Sequence, residues 1–258
     1  MPAAYTHDRF GTDLMKILPA DIRKTVTRFP QLFRVGLQGP DILFYYQPAF
    51  KTSIGALGPA THCQTGTEFF TRSAKAANTE AGQAYLWGLL AHYVLDALCH
   101  AYIDRQTQEN GLNHLQLEAE FDRYLLALDG VSSPETYHRG KQLKLTRGEC
   151  VTAAGFFPPA KPGHINESVK STALCMWFFS RPKGLLRSVT MRVLKALGTS
   201  QIYLVVPSRA EPKFRRTNEQ MLALYQQALD LYTVLLAQLE NHIKTGAPLG
   251  PEFEPVFG

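Results

Sequence analysis

Between Ala84 and Ile103 the chain is apolar on nearly every side of a helical wheel, and the main interruptions are His92, Asp96 and His100. A helix without a solvated face is a buried one. A four-residue step turns a helix by about 400° and climbs about 6 Å, so these three residues form one stripe about 80° wide. Elsewhere, apolar positions at three- and four-residue intervals predict helices over residues 12–18, 20–29, 59–77, 113–128, 134–142, 167–179, 184–197 and 217–244, with the buried one spanning 80–104. Pro59 suits a first turn, Asn113 an N-cap, and Gly130 and Gly246 helix ends. Residues 148–163 carry Phe156-Phe-Pro-Pro159 and Lys161-Pro-Gly163, which predict a break in regular structure. The run Gln201 to Val206 is strand-like but stands alone, and the Pro- and Gly-rich tail 247–258 is expected to lie extended over the surface. The pattern therefore predicts an all-α chain: a single-domain multi-helix bundle over residues 1–246, followed by the tail 247–258.

Length and composition narrow this. At 258 residues, 45% apolar and 19% charged, the chain can bury one large core and is not disordered. Its net charge of +5 is compatible with an anionic substrate or surface. The opening Met-Pro-Ala-Ala-Tyr-Thr-His has no basic region followed by an apolar run. No signal peptide is expected on that ground, and the expected compartment is cytoplasmic, peripheral to the membrane. The apolar run 84–103 passes a membrane-span filter by length, yet it carries three polar ligand types on one side. A buried helix, with no transmembrane span, is the better expectation. Cys63, Cys99, Cys150 and Cys175 have no short paired spacing and read as reduced thiols.

Buried imidazoles and carboxylates need partners. His114 and Glu118 follow at four-residue spacing on the next predicted helix, and His7, Asp41 and His62 precede the stripe. Singly, each has an ordinary reading: His7 as a residue near a chain end, Asp41 as a turn residue after Gly39-Pro40, His62 as a core histidine. Together they are eight donors. Tetrahedral zinc takes four and a catalytic zinc keeps one position for water, so eight suggest two or three ions. Nitrogen and oxygen donors without thiolate favour zinc, with manganese or iron as alternatives.

The ordered set Thr6-His7-x-x-Phe10-Gly11, Gly39-Pro40-Asp41, Thr61-His62, His92-x-x-x-Asp96-x-x-x-His100 and His114-x-x-x-Glu118 resembles the bacterial zinc-dependent phospholipase C family, related in fold to the fungal single-strand-specific zinc nucleases. The resemblance covers about residues 1–130 and implies an all-α bundle with metals in a cleft between helices. It implies that Asp41, His62, His92 and Asp96 hold one zinc, that His100, His114 and Glu118 hold another, and that His7 and Asp96 hold a third. Asp96 then bridges, and Asp41 also orients or deprotonates the attacking water. Secreted members complete the His7 site with a processed N-terminal Trp, which Met1 to Tyr5 does not offer. Two ions plus a possible third are therefore expected.

The function implied is hydrolysis of a phosphodiester through a zinc-bound hydroxide, with a glycerophospholipid giving diacylglycerol and a phosphorylated head group. A nuclease or nucleotidase on the same scaffold is the alternative enzyme, with nucleic acid ranked below phospholipid. A non-catalytic metal-stabilised lipid- or protein-binding module is the alternative of another class. Phe44, Tyr45 and Tyr46 follow Asp41 as candidate pocket residues, although an aromatic run beside a turn is often core. In the predicted helix 184–197, Arg187, Arg192 and Lys195 lie opposite an apolar face, and Trp177 belongs to the aromatic run just before it. Such a helix suits an anionic membrane surface, or packs on its own domain with a solvated basic face. His138, His164 and His242 lack ligand spacing.

Overall fold

The computed structural model describes residues 4–138, 140, 142–180, 188, 189, 191, 192 and 205–258. Nine α-helices are labelled here up to Ser180: α1 (Ala4–Ile17), α2 (Ala20–Arg28), α3 (Pro30–Gly36), α4 (Leu57–His62), α5 (Gly66–Ser73), α6 (Glu80–Asn110), α7 (His114–Leu128), α8 (Arg147–Ala154) and α9 (Pro162–Ser180). The long C-terminal helix Arg215–Thr245 is called α10. The fold is all-α, and no strand forms among the described residues. Val205 and Val206, the described end of the strand-like run, are buried without entering one. The remainder of that run lies outside the described residues.

α6 is the axis of the bundle. It is long and apolar enough to cross a membrane by composition alone, but most of that apolar stretch is buried by the helices around it. α10 packs along it: Trp87 Nε1 donates to Glu240 (2.8 Å) and Tyr232 OH donates to the Trp87 carbonyl (3.2 Å). α3 crosses it in backbone contact, because a Cβ on Gly88 would strike the Phe33 carbonyl and one on Gly36 would lie 2.5 Å from the Tyr85 carbonyl. α1 is docked on α7 by the fully buried Asp122, which accepts from the Thr6 amide (2.9 Å), the Thr6 hydroxyl (2.7 Å) and the Tyr5 amide (3.2 Å). That carboxylate satisfies amides in the first described turn, and α1 is already helical from Ala4, well before the predicted residue 12.

Several other expectations are corrected. The predicted helix 59–77 is two helices, because Thr65 and Glu68 form a capping box that starts α5 afresh. Residues 148–163 are not a simple loop: Thr146 and Glu149 form a second capping box at the head of α8. Among the described residues of the predicted helix 134–142, only Pro134–Thr136 are helical, as a single 3-10 turn, in a segment with almost no apolar face to bury. Most of the predicted helix 184–197, with Arg187 and Lys195, lies outside the described residues. The tail does not merely cover the surface. Phe253 and Phe257 are fully buried against Phe70 and Tyr93, and Tyr93 OH donates to the carbonyls of Glu252 (3.2 Å) and Pro255 (3.0 Å).

Candidate metal centre

The eight candidate ligands converge from five elements. α1 brings His7, the 3-10 turn Gly39–Tyr45 brings Asp41, α4 ends on His62, α6 carries His92, Asp96 and His100, and α7 carries His114 and Glu118. The α3–α6 contact decides where the turn lies. Leu37, just after α3, places its carbonyl 3.2 Å from His92 Nδ1, and Gly39 passes so close that a Cβ would strike the His92 ring. Gly39 also has φ of 58°, so glycine is required there twice over. Pro40 follows in the first turn and sets Asp41 over the cleft.

Asp96 stands at the centre. Its Oδ1 lies 3.2 Å from His7 Nε2, and its Oδ2 lies 3.0 Å from His92 Nε2 and 3.9 Å from His100 Nε2. The His7 and His92 rings stack with centroids 4.5 Å apart. To one side, Asp41 Oδ1 is 2.9 Å from His62 Nε2, whose Nδ1 donates to the Gly58 carbonyl (2.9 Å). To the other, Glu118 Oε1 is 3.4 Å from His100 Nε2 and 3.3 Å from His114 Nε2.

Three sets have donor atoms within 4.8 Å of one another: His7, His92 and Asp96; Asp41, His62 and His92; and His100, His114 and Glu118. The residues are those singled out in the sequence, but the grouping differs in two respects: His92 belongs to two sets, and Asp96, expected to bridge, belongs to one. Two buried ring nitrogens of the cluster, His92 Nε2 and His7 Nδ1, have no hydrogen-bond partner among the described residues. Although His92 Nε2 is close to Asp96, it is not aligned as a hydrogen bond. A polar atom buried without a partner calls for an explanation, and a divalent cation at His92 Nε2 supplies one. The residues present thus fit zinc: nitrogen and oxygen donors, mostly buried, with the His62 and His92 rings fixed from behind by carbonyls.

Protons do the work of cations in the metal-free protein. Burial disfavours charge on His62, yet the hydrogen bond and charge of Asp41 outweigh it and raise its pKa to about 9. Burial likewise opposes protonation of His100, but Asp96 and Glu118 raise it to about 9. His7 and His114 are also raised, burial being outweighed by Asp96 and by Glu118 respectively. Against the penalty of burial, the surrounding histidines lower Asp41, Glu118 and, most of all, Asp96.

Seven of the eight line a cleft of 420 Å³, with His92 behind it; Phe44, Pro59, Cys63, Asp104, Leu115 and Gly258 complete the wall. Phe44 is 41% exposed and stacks on His62 with centroids 5.4 Å apart. Tyr45 is buried and does not line the cleft, and Tyr46 sits edge-on to His164. Trp177 is half-buried on α9 and Arg192 is exposed; neither lines the cleft. Sequence reasoning did not place Pro59, Cys63, Asp104, Leu115 or Gly258 at the site. Asp104 continues the His92, Asp96, His100 stripe by one further four-residue step, a signal present in the sequence. Gly258 arrives through the packing of Phe253 and Phe257, which no local pattern announces.

Fold and cluster together define an all-helical protein built round a candidate multinuclear metal centre. The family described as zinc dependent phospholipase C matches residues 6–154, more than half of the chain and the whole ligand set, and the chain belongs to that family. The family points to a metal-dependent phosphodiesterase. No curated protein and no solved structure matches the chain significantly.

Proposed function

We propose that this protein is a zinc-dependent phospholipase C that cleaves the glycerol-side P–O bond of a glycerophospholipid. Water adds across that bond: its oxygen goes to phosphorus, and its protons go to the diacylglycerol oxygen and the medium. The observation that carries the reading is the convergence of eight donor residues on one cleft, with His7, His92 and His100 facing Asp96 and the buried His92 Nε2 left without a proton partner.

Asp41, His62, His92 and Asp96 would hold one ion, His100, His114 and Glu118 a second, and His7 with Asp96 a third. When bound, such ions neutralise the phosphoryl oxygens and lower the pKa of water. The chain's own residues do the rest. Asp41, held as a carboxylate by His62 at 2.9 Å, accepts a proton from the attacking water. His62 is kept in register by the Gly58 carbonyl, so Asp41 has a fixed direction in which to act. Phe44, stacked on His62 and partly exposed, gives the cleft an apolar rim facing the lipid. That rim supports a lipid substrate over a nucleic acid, which needs stacking platforms beside a basic groove.

A side-by-side assay of zinc-loaded protein on phosphatidylcholine vesicles, a chromogenic phosphodiester and single-stranded DNA tests the reading. Diacylglycerol release, lost by at least about 100-fold in Asp41→Asn, is the expected result. Turnover of DNA alone, or of none of the three, would overturn it.

A further inference from the structure

We propose that Asp104 is a positioning residue for His114, a role outside the ligand set. The inference rests on the metal reading above. Asp104 lies one turn beyond His100 on α6, and its Oδ1 is 3.3 Å from His114 Nδ1. The opposite nitrogen of that ring, Nε2, faces Glu118 Oε1 at 3.3 Å. A carboxylate at Nδ1 keeps the proton there and leaves the Nε2 lone pair for the cluster.

The reason this side chain matters is the way the other rings are held. His62 and His92 each donate Nδ1–H to a backbone carbonyl, those of Gly58 (2.9 Å) and Leu37 (3.2 Å). His114 has no such carbonyl. It is the first residue of α7, directly after the Asn113 cap, and its side chain is 33% exposed, so packing fixes it less than any other ligand histidine. Its ring meets His100 edge-on, with centroids 4.9 Å apart, a contact that leaves the tautomer open. Asp104 is therefore the group that both aims the ring and selects its tautomer. Asp104 itself belongs to none of the three donor sets. A carboxylate behind a ligating imidazole also makes the other nitrogen a stronger donor, and loss of such a partner typically weakens metal binding by about 10–100-fold.

The test is zinc competition against a chromogenic chelator, resolved ion by ion, on wild type, Asp104→Ala and Asp104→Asn. It is paired with nitrogen-15 spectra of the histidine rings in the zinc-loaded proteins. In Asp104→Ala, one ion per chain is expected to weaken by about 10–100-fold while the others keep their affinity. His114 in that variant is expected to leave the Nδ1-protonated state that wild type shows. Asp104→Asn, which keeps a neutral acceptor, should fall between. Wild-type affinity for every ion in Asp104→Ala, with His114 still protonated at Nδ1, would overturn the inference. So would a misfolded Asp104→Ala beside an Asp104→Asn of unchanged affinity. Wild-type protein that takes up no zinc would remove the metal reading and this inference with it, a result distinct from the others.

Discussion

Asp96 is the residue on which the charges of the cluster balance, since one carboxylate faces His7, His92 and His100 at 3.2, 3.0 and 3.9 Å. Its replacement removes the carboxylate that three of the ring nitrogens face, so Asp96→Ala is expected to lower zinc affinity by more than about 100-fold, beyond the loss typical of an outer partner. Calorimetric zinc titration checks this, and an affinity within tenfold of wild type would contradict it. The raised histidines make a second expectation, and its sign is fixed. His62 and His100 have folded values of about 9 against an ordinary 6.5, so in the metal-free protein their protonated forms contribute stability that is complete below pH 6.5 and lost as pH climbs through about 9. Asp41, Asp96 and Glu118, being lowered, contribute in the opposite sense, with stability present above the ordinary carboxylate range and lost in acid. Zinc must displace the histidine protons. Its affinity should therefore rise between pH 6.5 and 9 by about tenfold per pH unit for each proton released, while the melting temperature of the metal-free protein falls over the same window. A zinc affinity flat across that window would count against this account.

At the scale of elements, the contact between α3 and α6 sets the site. Gly88 allows the two backbones to touch, and that contact carries the Leu37 carbonyl and Gly39 onto His92. Gly88→Ala inserts a methyl group where the Phe33 carbonyl lies, and is expected to cost about 1–3 kcal/mol, as overpacked cores do. Thermal denaturation measures it; a variant as stable as wild type would show that the helices separate without strain. This contact was invisible in the sequence, where neither α3 nor the following 3-10 turn shows an apolar period long enough to read. By contrast α6 and α7 were legible, because a helix apolar all round has a single destination and Asn113 caps the second, its side chain accepting from the Gln116 amide at 3.2 Å. The starts of α5 and α8 were written in Thr65-x-x-Glu68 and Thr146-x-x-Glu149 and passed unread. α1 differs again: Asp122, which satisfies amides in its first described turn, is more than a hundred residues away, so this support could be found only in three dimensions.

For the whole molecule, the His92, Asp96, His100 stripe was legible because polar residues at four-residue spacing on a buried helix leave few alternatives, whereas His7, Asp41 and His62 were picked out by the ordered family motif rather than by any local pattern. The supports behind the ligands were mostly not, since backbone carbonyls leave no trace in a sequence. The C-terminal tail makes the same point. Its Phe253 and Phe257 lie fully buried, with the Phe257 ring 4.7 Å from Phe69 and 6.4 Å from His92, and so a segment that reads as a loose end closes one wall of the cleft. Everything in this account depends on one claim, that helices distant in sequence meet in order to hold divalent metal. The most direct measurement is the metal content of zinc-saturated, desalted protein by inductively coupled plasma mass spectrometry, for wild type beside Asp96→Ala. Two or three zinc ions per chain, with at least one lost in the variant, is the result predicted; less than one divalent ion per wild-type chain would contradict it.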